Sequence, residues 1–135
     1  MEFVKSIKGV DFINDSKATN IDSTMWALNN LTRPIILIAG GKDKNSDYTL
    51  ISNLIQRKVK KIIVIGQARD KIKKIFSGVV PIEEKNSLEE AVGASFSQAI
   101  PGDCVLLSPM CASFDMFDNY EHRGNCFKEI VGRLN

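Results

Sequence analysis

Three unbroken apolar runs set the rhythm of this chain: Ile35-Ile36-Leu37-Ile38-Ala39, Ile62-Ile63-Val64-Ile65 and Val105-Leu106-Leu107. Each has strand length and no polar alternation, the pattern of strands buried on both faces of a parallel sheet. Between them, apolar residues recur at helical spacing. Ile21, Met25, Leu28 and Leu31 share one face, as do Leu50, Ile51, Leu54 and Ile55. Further faces are formed by Ile72, Ile75 and Phe76, by Leu88, Val92 and Phe96, and by Phe127, Ile130, Val131 and Leu134. Asn20 is the expected N-cap of the first helix, with Asp22 suited to its dipole. Ser87-Leu88-Glu89-Glu90 is a capping box that starts a helix at Ser87.

Two weaker patterns complete the outline. Phe3 to Asn14 reads as two short strands joined near Lys8-Gly9, with Val10, Phe12 and Ile13 as the apolar positions of the second. Val79-Val80-Pro81-Ile82 reads as a strand that Pro81 confines to an edge. Strand and helix then alternate from Asn14 to the end. That predicts α/β: one three-layer, Rossmann-like domain over residues 1–135, with a mostly parallel sheet and right-handed crossovers. The N-terminal pair leaves room for one antiparallel edge strand.

Composition changes this picture little. The chain has 135 residues, 44% hydrophobic and 25% charged, with a formal net charge of +2. So small a charge gives no reason to expect nucleic acid or an anionic membrane as partner. Basic clusters at Arg57-Lys58, Lys60-Lys61 and Arg69 to Lys74 read as solvated helix faces. Cys104, Cys111 and Cys126 have neither disulfide nor zinc spacing, and metal ligands are expected nowhere. Cys104 reads as core; Cys111, in a polar loop, is open to exposure but has no partner base. The single histidine, His122, reads as a surface residue at a helix start. No run approaches the roughly 20 apolar residues of a membrane span, and no signal-peptide core is visible, so a cytoplasmic location is expected.

The chemistry gathers after strands. NDSKATN (14–20) follows the second, AGGKDKNSD (39–47) the third, and SPMCASFD (108–115) the last long one. Ligands of open α/β sheets bind beyond the strands' C-terminal ends, so three motifs at three such ends predict one shared site. Lys17 and Lys44 on that rim suit phosphate or carboxylate oxygens. Thr19, Ser113 and nearby N–H groups add neutral donors, and Asp15 could accept from ribose hydroxyls. Phe114 and Phe117 are expected to pack their loop against the sheet. Gly41-Lys42 is not a phosphate-binding P-loop, because Ile36 stands where its first glycine should be. The main cradle of a triphosphate is therefore not expected in this chain.

These same segments, with LLSPMCASFDMFDNYEHRG at 106–124 and FKEIV at 127–131, make the chain similar to the C-terminal domain of the Mur ligases of peptidoglycan synthesis, in their D-glutamate-adding branch. The resemblance implies an ATP-dependent amide-forming ligase. ATP phosphorylates a terminal carboxyl group of UDP-N-acetylmuramoyl-L-alanine, and the amine of D-glutamate attacks the acyl phosphate. In the family, ATP and Mg2+ are bound mainly by a central domain and the UDP-sugar by an N-terminal one, so this chain alone is expected to be an inactive, monomeric excised domain or truncated reading frame. Position by position, Thr19 and Lys44 resemble the donors for one carboxylate of D-glutamate, and Ser113 with the backbone near Tyr120 those for the other. Asp15 resembles the ATP ribose contact, and Lys17 the catalytic cation near the reacting phosphates. Met110 and Tyr120 stand where the family often has Ala and Phe, and its arginine near ATP would fall before Met1. A folyl-polyglutamate synthetase-like domain and a stand-alone nucleotide- or anion-binding module are the alternatives.

Overall fold

The computed structural model describes all residues, 1–135. Strands β1 (Glu2–Ile7) and β2 (Val10–Asn14) form an antiparallel hairpin. Its turn residues, Lys8 and Gly9, have φ of 52° and 79°. Positive φ at both central positions is what a type I′ turn needs to match strand twist. Helix α1 (Ile21–Asn30) begins where the Asn20 side chain accepts from the Ser23 N–H at 2.9 Å. Strand β3 (Ile35–Gly40) follows, buried at every residue. A 3-10 turn (Tyr48–Ile51) leads into α2 (Ser52–Lys58) and then β4 (Val59–Ile65). The chain continues through α3 (Arg69–Phe76), β5 (Ile82–Glu84), α4 (Leu88–Gln98), β6 (Cys104–Leu107) and α5 (Tyr120–Gly132).

The six strands lie in the order β1-β2-β6-β3-β4-β5, and every pair except β1–β2 is parallel. The alternation of elements thus becomes the expected three-layer α/β fold with an antiparallel edge. One core holds Leu28 of α1, Ile55 of α2 and Phe76 of α3 against Leu37, Val64 and Leu106 of the sheet. The other holds Val92 of α4 and Phe127 and Val131 of α5 against Ile36, Ile38 and Val105. Both faces are therefore covered, and no buried side-chain polar atom lacks a hydrogen-bond partner.

Three local expectations shift. The strand foreseen at Val79 begins only at Ile82, because the Val79 and Val80 N–H groups both bond to the Phe76 carbonyl and close α3. Pro81 still enters the sheet's edge by accepting from the Ile62 N–H at 3.0 Å. Leu50 is 68% exposed while Ile51 is buried. The tighter 3-10 turn, at about three residues per turn, rotates Leu50 off the face a continuous helix would give it. Finally, Ser87 caps α4 through the Glu90 N–H as expected, but Glu90 reaches back to the Asn86 N–H, one residue earlier than a standard capping box.

Candidate ligand crevice at the strand ends

Sheet order is the first fact of the site. Strand β6 lies between β2 and β3, so the three motif-bearing loops leave adjacent strand ends. The loops after β2 and β3 lead to α1 and α2 on one face of the sheet; the loop after β6 packs Met110 and Cys111 on that same face before Phe117 and α5 reach the other. A chain that crosses the strand ends in this way marks the place where α/β folds bind ligands.

Backbone bonds stitch the β6 loop to both neighbours. Asp15 N–H donates to the Leu107 carbonyl (2.7 Å) and Met110 N–H to the Ala18 carbonyl (3.0 Å). On the other side, Gly40 N–H donates to Pro109 (2.9 Å) and Lys42 N–H to Ala112 (2.8 Å). Met110 has φ of 64°, and Gly40 and Gly41 have φ of 112° and 141°. A Cβ on Gly40 would lie 2.0 Å from the Ile65 carbonyl oxygen, and one on Gly41 2.4 Å from that of Ala112. The double glycine is a packing requirement.

Arg123, 1% exposed, pins the centre. Its Nε donates to the Ser16 hydroxyl (2.9 Å), Nη2 to the Ser16 carbonyl (2.7 Å) and Nη1 to the Cys111 carbonyl (3.1 Å). Ser16 Oγ in turn donates to the Tyr120 carbonyl at 2.7 Å. One guanidinium thus joins the β2 loop, the β6 loop and the start of α5. Burial holds its pKa below the usual value, at about 10, so it stays charged at neutral pH.

The residues singled out in the sequence fall into two groups. Asp15 is buried, with Oδ2 accepting from Ser108 Oγ at 2.8 Å, and Ser108 also bonds Thr24 of α1 at 2.9 Å. Asp15 Oδ1 lies 3.5 Å from the Met1 amine. Asp15 and Lys17 line a cavity of about 320 Å³ with Met1, Ser23 and Trp26. Lys17 also lines an adjoining cavity of about 270 Å³ that includes Ser16 and Tyr120. Thr19, Lys44 and Ser113 line neither. Lys17 and Lys44 are exposed and enter none of the chain's ion pairs, which leaves both ammonium groups free. Ser113 is buried, its carbonyl accepting from the Met116 and Phe117 N–H groups.

Several features were not foreseen. Cys111 is buried, and burial pushes its thiol up to about 11, so it is a packed, protonated residue. Its sulfur lies 3.1 Å from the Tyr48 hydroxyl, which donates to Asp43 at 2.9 Å; Lys71 pairs with that carboxylate at 3.1 Å. A fourth loop, after β4, also joins in. Gln67 N–H donates to Asp115 (2.9 Å), the Gln67 side chain accepts from Asp43 N–H (3.2 Å), and Ala68 N–H donates to Gly41 (2.8 Å). Phe117 packs on the second core, but Phe114, expected to pack too, is 66% exposed. His122 is, as expected, a surface residue; its Nδ1 accepts from the Asp118 N–H at 3.1 Å. No group of three His, Cys, Asp or Glu side chains is arranged to hold a metal ion.

The family model for the Mur ligase, glutamate ligase domain, matches residues 1–111. This chain belongs to the Mur ligase family. It is 51% identical over 133 residues to the UDP-N-acetylmuramoylalanine–D-glutamate ligase of Chlorobaculum parvum, covering 98% of this chain and 28% of that protein. Its identity to the ligase of the same name from Cytophaga hutchinsonii is 47% over 135 residues, covering 99% and 30%. The chain thus spans less than a third of the length of the curated relatives it matches. In fold it is similar to a UDP-N-acetylmuramoyl-L-alanyl-D-glutamate–2,6-diaminopimelate ligase (TM-score 0.59, 15% identity, 79% of this chain and 25% of that one). It is also similar to the MurF ligase of Thermotoga maritima in complex with ADP (TM-score 0.54, 12% identity, 97% and 31%). The Mur ligase reading of the 14–20, 40–44 and 106–124 segments is thereby borne out at the level of family and fold.

Proposed function

We propose that this chain is the amino-acid-binding wall of an ATP-dependent ligase that adds D-glutamate to UDP-N-acetylmuramoyl-L-alanine in peptidoglycan synthesis, and that it is inactive until the rest of the enzyme meets it. The observation that carries this reading is the placement of three motif-bearing loops at adjacent strand ends, the β6 loop bonded through its backbone to both neighbours and one buried arginine joining the β2 and β6 loops.

In this reading, Lys44 and Thr19 grip one carboxylate of D-glutamate, and Ser113 with the free N–H groups at the start of α5 near Tyr120 grip the other. A dicarboxylate losing water needs charge-matched donors at each end, and the unpaired Lys44 is ready to serve as one. Asp15 meets the ATP ribose through Oδ1, which faces the Met1 amine at 3.5 Å, while Oδ2 is held by Ser108. Lys17, unpaired at the rim of two cavities, approaches the phosphates, where charge builds as the carboxyl group is phosphorylated and phosphate later leaves. ATP supplies the phosphoryl group that activates the carboxyl. Without a P-loop, this chain contributes to the closing of that site and not to its main cradle. Mg2+ finds no ligand cluster here, so no step runs through a metal held by these residues. No helix is long and apolar enough to cross a membrane, and the reading takes the enzyme as a cytoplasmic monomer with no nucleic-acid partner.

The test is a ligase assay of the full-length protein across D- and L-amino acids with UDP-N-acetylmuramoyl-L-alanine and ATP. Phosphate release with D-glutamate alone supports the reading; preference for an L-amino acid, or activity without ATP, overturns it.

A further inference from the structure

Trp26 is the chain's only tryptophan, and it is 60% exposed on α1. A large aromatic left in water is an unusual use of α1, whose other face buries Ala27 and Leu28 in the core. Its surroundings are specific. Trp26 lines the cavity of about 320 Å³ that also holds Asp15 and Lys17. That volume falls at the lower end of small-molecule sites, which run from about 300 to 1,000 Å³. An aromatic face, a carboxylate whose Oδ1 faces only the Met1 amine at 3.5 Å, and an unpaired ammonium are three different recognition elements. A π-face stacks a planar base, worth more than most exposed contacts and indifferent to which base it is. A carboxylate accepts from ribose hydroxyls. An ammonium attracts phosphate.

We propose that this cavity is a nucleoside-phosphate subsite in which Trp26 is the stacking platform for the base. The inference deepens the nucleotide side of the proposed function and rests on that reading for Asp15 and Lys17; the role of Trp26 is its new content. The Ser108–Thr24 bonds explain why two of the three groups, the carboxylate and the ring, stay in register. Asp15 is tied through Ser108 to Thr24, two residues before Trp26 on the same helix. The helix that presents the ring therefore also positions the carboxylate. The site selects a planar base joined to a ribose phosphate and is not a site for the amino acid.

The sole tryptophan makes the test direct, because its emission reports this cavity alone. The 135-residue chain is titrated with ADP, adenosine, ribose 5-phosphate, inorganic triphosphate and D-glutamate, with ligand-observed NMR as an independent measure of binding. Saturable quenching is expected with ADP and adenosine, and none with the other three. Trp26→Ala is expected to weaken ADP binding about 5- to 150-fold, the range found when a base-stacking aromatic is truncated, and Trp26→Tyr to restore most of it. Trp26 is mostly exposed, so neither change disturbs a core. ADP binding with unchanged emission, equal ADP affinity in Trp26→Ala, or no ADP binding at millimolar concentration would each overturn the proposal. The D-glutamate dependence of the full-length enzyme does not involve Trp26, so failure here leaves that result to be judged separately.

Discussion

Arg123 reaches back across the crevice to hold Ser16 at two points, Nε on the hydroxyl at 2.9 Å and Nη2 on the carbonyl at 2.7 Å. No carboxylate pairs with it; its charge is met by oxygen dipoles of Ser16 and Cys111. A buried charge without an ionic partner is expensive, and its place at the junction of two ligand loops and a helix start explains its use.

Removing that guanidinium should loosen the crevice more than the fold. Arg123→Met strands the Ser16 and Cys111 carbonyls, at about 1–3 kcal/mol for each unsatisfied group, partly offset by relief of the buried charge. A net loss of about 1–3 kcal/mol in urea unfolding is expected, with a larger loss of ligand affinity. Arg123→Lys should not rescue it, since an ammonium cannot span three acceptors as a planar fork does.

Tyr48 should matter to the same crevice from the other side. Tyr48→Phe removes the hydroxyl that lies between Asp43 and Cys111. A stability loss of about 0.5–1.5 kcal/mol is expected in urea unfolding. An unchanged midpoint would mean that the hydroxyl's contacts with Asp43 and Cys111 contribute nothing to the fold.

Gly40 and Gly41 test the backbone directly. Gly40→Ala places a Cβ 2.0 Å from the Ile65 oxygen at φ of 112°, a clash with main chain that no side-chain rotation relieves. A loss of at least about 2 kcal/mol by thermal or urea unfolding is expected. Gly78→Ala, where the new methyl meets nothing within 4 Å, is the control and should be nearly neutral.

Stability should fall in alkali. Burial pushes the thiols of Cys104 and Cys111 up to about 12 and about 11 from an ordinary 9.0. Above about pH 9 the unfolded chain gives up these protons and the folded chain keeps them. The stabilisation is therefore full below that pH and is lost as pH rises through about 11. Each thiol contributes a slope of about 1.4 kcal/mol per pH unit in that window. Urea midpoints between pH 8 and 11 measure it, and Cys104→Ala should reduce the slope.

Much of this was legible beforehand. Unbroken apolar runs such as Ile35 to Ala39 read correctly as buried parallel strands because nothing else of that length tolerates so many branched residues. The three polar motifs pointed to one crevice because they follow strands, although the strand order that makes them neighbours is a tertiary fact. Other features have no one-dimensional signature. Arg123 looks like any charged residue in a helix's first turn until Ser16 and Cys111 fold against it. The loop after β4 carries only Gly66-Gln67-Ala68, too little to announce its contacts with Gly41, Asp43 and Asp115. Cys111 was open to exposure because its neighbours are polar, yet Tyr48 buries it; Phe114 was expected inside because it is aromatic, and it lies in solvent.

The central claim is that this crevice grips D-glutamate, with Lys44 as the charged end of the grip. The most direct measurement is steady-state kinetics of the full-length enzyme with D-glutamate varied, in the parent and in Lys44→Ala. A rise in KM of about 10-fold or more, with a smaller change in kcat and an unchanged KM for ATP, is the result expected when a charged hydrogen bond to substrate is lost. An unchanged KM for D-glutamate in Lys44→Ala would contradict it.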